Sequence, residues 1–113
     1  MKEVRAYIQP HKLQAVSHAL HQLAEVTGMS ATMARGFGRR VSASESHRVE
    51  EELELLAPCV RVEVVCQDGA VEAVVHTIQR AAHSGLRGDG IIYVSRVEDA
   101  VRIATGERGE RAV

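Results

Sequence analysis

The hydrophobic residues of this chain alternate with polar ones at 4–8 and 60–66 and recur at helical spacing in two other segments. Alternation is typical of a half-buried strand, and a spacing of three or four residues is typical of an amphipathic helix. Alternation predicts strands at 4–8 and 60–66, and the segments 29–38 and 91–95 are predicted to be the second and fourth strands. Helical spacing predicts one helix of about four turns from residue 13 to about residue 28. It also predicts a second helix, whose buried stripe is Val71, Val74, Val75, Ile78 and Ala82.

The predicted elements follow the order strand, helix, strand, long loop, strand, helix, strand. This order matches the ferredoxin-like fold of the α+β class, in which a four-stranded antiparallel sheet carries both helices on one face. The opposite face then carries a mixed set of side chains, which are Arg5, Tyr7, Arg61, Glu63 and Val65. We expect another subunit to cover part of it, because the set is neither apolar nor plainly solvated. The segment 97–103 is ambiguous between helix and strand.

Composition narrows the class of protein. The 113 residues fit one domain, and a net charge of −1 argues against a protein that coats nucleic acid. No stretch approaches the roughly 18 apolar residues of a membrane span, and the first residues resemble a strand rather than a signal peptide. Cys59 and Cys66 fall an odd number of positions apart in one predicted strand, so they face opposite ways and do not pair. We expect two half-buried thiols in a reducing cytoplasm.

Glycine and arginine concentrate in two segments, 36–40 and 84–90. Glycine lets backbone N–H groups approach an anion closely, and arginine adds a fork of charged donors. The pair of segments therefore indicates a phosphate-binding seam, to which Arg102 could add a third charge. The alternative is ordinary loop chemistry, with a bulge at the end of one strand and a turn before another.

Other chemistry has weaker signals. His18 and His21 have helical spacing for two metal ligands, but no cysteine or carboxylate pattern completes a site, so no metal is predicted. No motif places a nucleophile beside a base, so no catalytic residues are predicted. The acidic cluster at 50–54 fits a solvated loop or a partner-facing helix.

Several segments together resemble the PII nitrogen-regulatory signal proteins along nearly the whole chain. They are 6–13 (AYIQPHKL), 27–30 (TGMS), 36–39 (GFGR), 85–90 (GLRGDG) and 103–107 (IATGE). The resemblance implies a homotrimer, not an enzyme, with three adenine-nucleotide sites in the clefts between subunits. It also implies a flexible T-loop at 39–57 that docks on a partner, a B-loop at 84–91, and a C-loop and tail at 102–113.

The resemblance assigns site residues by position. Those around the adenosine would be Met29, Ser30, Glu63, Val65 and Ser84. Those facing both adenosine and phosphates would be Gly36, Phe37, Gly38 and Arg39. Those holding the phosphates would be Gly88, Asp89, Gly90 and Arg102, with Arg87 in the same loop. The partner would be a transporter, which would recruit the protein to the inner face of a membrane, or an enzyme.

The chain departs from the family pattern at chemically important positions. Glu52 replaces the modifiable T-loop tyrosine and Glu50 a serine, so uridylylation is not expected. Arg40 replaces a glutamine that helps to position magnesium–ATP and 2-oxoglutarate. Three family cations are replaced by Cys59, Ile91 and Ala104.

These departures predict a preference for ADP or AMP over ATP and no standard 2-oxoglutarate response. Each missing charged contact to a phosphate would cost about 1.5–3 kcal/mol. Arg40 leaves open a role for a small anion such as bicarbonate, and hence a regulator of inorganic-carbon uptake rather than of nitrogen metabolism. A small nucleotide-hydrolysing enzyme is the remaining alternative.

Overall fold

The computed structural model describes residues 1–38 and 56–113. The strands are β1 (Lys2–Ile8), β2 (Ser30–Gly36), β3 (Ala57–Cys66) and β4 (Gly90–Arg96), and the helices are α1 (Leu13–His21) and α2 (Val71–Ala82). Short 3-10 turns lie at Pro10–Lys12, Asp68–Ala70 and Gly109–Ala112. Within these two described ranges, no helix is both long and apolar enough to cross a membrane.

The four strands form one antiparallel sheet in the order β2-β3-β1-β4. Alternate residues of β1 and β3 pack against both helices, which confirms the predicted ferredoxin-like fold. The fully buried side chains of this core include Val4, Val16, Leu20, Val60, Val62, Val64, Cys66, Val74 and Ile78. The core therefore consists mainly of aliphatic side chains on the two central strands and the helices. Burial of each aliphatic side chain stabilises the fold by about 1.5–3 kcal/mol, because the side chain leaves water.

Helix α1 is shorter than its apolar spacing predicts. It ends at His21, and the chain continues in turns in which the N–H of Leu23 donates to the carbonyl of Leu20 at 3.1 Å and that of Val26 to Leu23 at 3.1 Å. Leu23 and Val26 still pack against the core. The predicted apolar stripe is therefore correct, but its last part is not helical.

Two other predicted boundaries were wrong. β3 begins at Ala57, three residues before the predicted start of the third strand at residue 60, and it includes Pro58. The segment 97–103 is neither helix nor strand and instead forms one limb of an excursion held by an isolated antiparallel bridge between Val101 and Arg108. The predicted loop at 39–57 lies outside the described residues as far as residue 55.

The edge strands leave apolar side chains in the open. Met33 of β2 is 65% exposed, and Tyr93 and Val94 of β4 are 54% and 46% exposed. On the face opposite the helices, Tyr7 packs edge-to-face on Tyr93, with ring centroids 6.4 Å apart. Both edges of the sheet and its second face are thus incompletely covered by the residues that the structure describes.

Candidate functional site

The described residues 36–38 of the first glycine–arginine segment and the second segment, 84–90, lie at the same end of the sheet but on its opposite edges. The strand register places Met33, Val60, Ile8 and Gly90 in one row across the four strands. Three interstrand spacings of about 4.8 Å separate the outer strands of that row by about 14 Å. We call this end of the sheet the loop end, and the end at which β4 finishes the tail end.

The B-loop (84–91) is closed by its own side chains. The backbone N–H of Ser84 donates to Asp89 Oδ2 at 2.8 Å, and the Ser84 hydroxyl donates to Asp89 Oδ1. The backbone N–H of Leu86 donates to Ser84 Oγ at 3.1 Å. These hydrogen bonds from Ser84 hold the pKa of the Asp89 carboxyl below its usual range. What the loop can offer an anion is therefore its backbone N–H groups and the exposed guanidinium of Arg87.

The B-loop is also fixed to β1. The Gln9 side-chain amide donates to the carbonyl of Gly88, and Gly90 pairs with Ile8. Gly90 has a φ of +112°, and a Cβ there would lie 1.7 Å from the carbonyl oxygen of Tyr7. A side chain at this position would push the loop away from the sheet, so glycine sets where the backbone donors lie.

Apart from Ser84 in the B-loop, the residues assigned to the adenosine lie between the middle row of the sheet and the tail end. Ser30 opens β2 directly opposite Glu63 on β3, and Val65 lies two residues further on the same face. Met29 precedes Ser30 and packs against the core. The Glu63 carboxylate lies 2.8 Å from Arg61 Nε, so its negative charge is paired within the sheet.

Arg102 lies beyond the tail end. β4 runs for seven residues from the B-loop, or about 20 Å, and the N–H of Val97 then donates to the carbonyl of Met1. In the excursion that follows, Arg102 Nη2 donates to the carbonyl of Ala112 at 2.9 Å. Across the described ranges 1–38 and 56–113, no hydrogen bond or ion pair joins this excursion to the B-loop.

A single chain thus carries the assigned residues in two separate groups. The loop-end group comprises Gly36, Phe37, Gly38, Ser84, Arg87, Gly88, Asp89 and Gly90, and the tail-end group comprises Met29, Ser30, Glu63, Val65 and Arg102. Arg39 and Arg40 lie outside the described residues. Because Arg102 lies beyond the opposite end of β4 from the B-loop, the described part of one chain does not bring together all the residues expected to hold one nucleotide.

Sequence reasoning missed Gln9 as part of the loop end. Its hydrogen bond to Gly88 joins residues 79 positions apart, and nothing in the local sequence around Pro10 indicates it. His18 and His21 gain no further ligands either, since the part of the chain that the structure describes holds no cluster of three or more metal-ligating side chains.

Comparison with known proteins decides the family. Residues 1–107 match the family model described as nitrogen regulatory protein P-II. The chain belongs to the P-II family. It is similar over all 113 residues to the nitrogen regulatory protein P-II of Azospirillum brasilense, at 44% identity and with the whole of that protein covered. It is also 43% identical to nitrogen regulatory protein P-II 2 of Methanothermobacter thermautotrophicus, covering all of this chain and 97% of that one.

Membership of the P-II family confirms the predicted family and the general type of function. P-II proteins are signal-transduction regulators rather than enzymes, they bind adenine nucleotides, and they interact with target proteins. The alternative of a small nucleotide-hydrolysing enzyme is therefore excluded.

The positions that depart from the P-II pattern fall in both groups. Ile91 is 51% exposed on β4, directly opposite Tyr7, and Cys59 is half-buried on β3 opposite Ala34. Ala104 is exposed in the excursion that carries Arg102. Each of these side chains lies beside residues assigned to the nucleotide and brings no charge to them.

The hydrogen bonds of Asp89 make the B-loop sensitive to acid. Its carboxyl has a lowered pKa when folded, so the stabilisation is present above the unfolded pKa of about 3.9 and is lost as pH falls through the lower folded value. His83 Nδ1 lies 3.5 Å from Asp89 Oδ2 and favours the ionised carboxyl when protonated. At pH 7 we expect Asp89→Asn to speed hydrogen exchange of peptides covering 84–91, with Asp68→Asn as the control. Equal exchange in the two variants would contradict this role.

Proposed function

We propose that this P-II protein is a homotrimer that binds adenine nucleotides in three clefts, each formed by the loop end of one copy and the tail end of the next. The observation that carries the proposal is the separation of the two groups within one chain. The B-loop and Arg102 lie at opposite ends of β4, about 20 Å apart along the strand. A neighbouring copy that placed its tail end against this loop end would put both sets of donors around one ligand.

The uncovered edges and open face of the sheet support such an assembly. Exposed apolar side chains on both edge strands are typical of protein–protein contact surfaces. On the open face, Arg61 Nε and Arg5 Nε lie 2.8 Å and 3.8 Å from the same Glu63 carboxylate oxygen, which leaves a cluster of paired charges beside the exposed apolar edges. In a closed cyclic trimer, each copy would contribute one loop end and one tail end.

Fewer cations than usual would surround the phosphates. Ile91 and Ala104 are neutral where the family pattern has a lysine and an arginine, and each lost charged contact would cost about 1.5–3 kcal/mol. Because a longer polyphosphate depends on more of these contacts, the site would favour ADP or AMP over ATP. Cys59 likewise removes the cation expected to pair with 2-oxoglutarate.

The nucleotide would act by changing which shapes of the 39–57 loop are populated. A partner transporter or enzyme of nitrogen or carbon metabolism would bind one shape and reject another. A transporter would bring the protein from the cytoplasm to the inner face of the membrane. Arg40, a cation where the family has a neutral amide, favours a small anion at the base of this loop and hence bicarbonate as the effector.

Isothermal titration calorimetry tests this proposal. We expect ADP and AMP to bind more tightly than ATP, because Ile91 and Ala104 leave the extra negative charge of the third phosphate without a cation, and we expect 2-oxoglutarate to leave ATP binding unchanged. The same titrations with bicarbonate test its role as effector, for which a changed ADP affinity is the expected result. Tight ATP binding that 2-oxoglutarate strengthens would overturn the proposed specificity, and absence of binding by all three nucleotides would overturn the proposed function.

A further inference from the structure

The excursion after β4 is a compact hairpin with its own hydrogen bonds. The N–H of Arg102 donates to the carbonyl of Glu107 at 2.9 Å, and the N–H of Gly106 donates back to the carbonyl of Arg102 at 2.7 Å. The N–H of Gly109 donates to the carbonyl of Ala100 at 2.9 Å. Arg102 is therefore carried on a short ribbon whose two limbs are tied on both sides of it.

Asp99 joins the two limbs at the base of this hairpin. Its Oδ1 accepts from the N–H of Ala100 at 2.9 Å, and its Oδ2 accepts from the guanidinium of Arg108 on the opposite limb. The Arg108 guanidinium holds the pKa of the Asp99 carboxyl below its usual range. This ion pair between side chains closes the ribbon beside the backbone bridge between Val101 and Arg108.

Two apolar side chains of the hairpin remain exposed to solvent. Ile103 is fully exposed and Val101 is 54% exposed, so neither side chain anchors the ribbon to its own domain. The first limb bears Arg102 three residues after Asp99, and the second begins to turn at Gly109 directly after Arg108. A change in how the limbs meet at Asp99 and Arg108 would therefore move the Arg102 guanidinium.

We propose that Asp99 and Arg108 are positioning residues for nucleotide binding. Their ion pair fixes the hairpin in the shape that presents Arg102 to the phosphates held by the B-loop of a neighbouring copy. This inference rests on the proposed function and adds two residues to it that touch no ligand. An exposed ion pair contributes little to global stability, so its effect should be seen in the geometry of Arg102 rather than in unfolding.

A charge-swap cycle tests the pair. The trimer is prepared as wild type, Asp99→Arg, Arg108→Asp and the double variant, and ADP and adenosine affinities are measured by calorimetry. We expect each single variant to bind ADP about tenfold more weakly and the double variant to recover to within about threefold of wild type, the pattern of a directly coupled pair. Adenosine has no phosphate for Arg102 to hold, so its affinity should stay unchanged in all four proteins.

Hydrogen exchange of peptides covering 99–109, without nucleotide, provides a readout that does not depend on binding. The single variants should exchange faster and the double variant should regain protection. Additive losses in the double variant, or equal losses for adenosine and ADP, would overturn the positioning role. If the wild-type protein bound neither ADP nor adenosine, both the proposed function and this positioning role would be overturned. If the single variants exchanged faster but bound ADP as tightly as wild type, Asp99 and Arg108 would have a structural role only.

Discussion

Replacing Gly90 with alanine should lower the free energy of unfolding by about 4 kcal/mol. This value combines the cost of a strained backbone with the cost of an overpacked contact. The new Cβ would lie 1.7 Å from the carbonyl oxygen of Tyr7 and 2.8 Å from its carbonyl carbon. Both are backbone atoms of the central strand β1, so the clash cannot be relieved by rotating a side chain. The φ of +112° adds strain, since a side chain rarely adopts it. Urea denaturation followed by circular dichroism, at one protein concentration, measures the change.

Gly69→Ala is the matched control for this variant. An added Cβ at Gly69 meets no atom within 4 Å, and its backbone is not in the left-handed region. We expect Gly69→Ala to change stability by less than about 1 kcal/mol. If the two alanine variants unfolded at the same urea concentration, the B-loop would not be seated on Tyr7 as described.

Replacing Arg102 with alanine should weaken ADP binding by about 1.5–3 kcal/mol, the cost of losing one charged hydrogen-bond donor to a phosphate. The Arg102 side chain is exposed, and the one hydrogen bond that it makes in the described part of the chain is to the carbonyl of Ala112. Most of its donors are therefore available to a ligand. Calorimetry of ADP and adenosine measures the loss, which should appear for ADP alone.

Arg111→Ala controls for the change of charge in the same segment. Arg111 is also exposed and lies in the 3-10 turn at Gly109–Ala112, but it is not assigned to the nucleotide. We expect it to leave ADP affinity within about threefold of wild type, as for a surface residue away from the site. Equal losses in the two variants would mean that net charge, rather than a contact from Arg102, controls binding.

The central part of the fold was predictable because its periodicities are local. Alternation in β1 and β3 and the stripe of α2 each record which side faces the core, and the structure buries those positions. The length of α1 was not predictable in the same way, because Leu23 and Val26 reach the core from turns. Periodicity reports burial, and a turn can bury a side chain as well as a helix can.

The candidate site was predictable only in part. The glycines at 85, 88 and 90 predicted a tight loop, and all three have a positive φ in the structure. The contacts that fix the site, Gln9 with Gly88 and Asp99 with Arg108, are pairings of ordinary polar residues that have no sequence signature. The separation of the loop end from the tail end follows from the order of the strands and so becomes visible only once the sheet is assembled.

Mixing two variants tests most directly whether the nucleotide site is shared between copies. Arg87→Glu damages the loop end and Arg102→Ala the tail end, and the two chains are co-expressed in equal amounts with different tags. If each cleft combines the loop end of one copy with the tail end of the next, random assembly should restore about a quarter of the clefts to wild-type ADP affinity. If both ends of a site belong to one chain, every site in the mixture carries a defect and no tight binding returns, which would contradict the account.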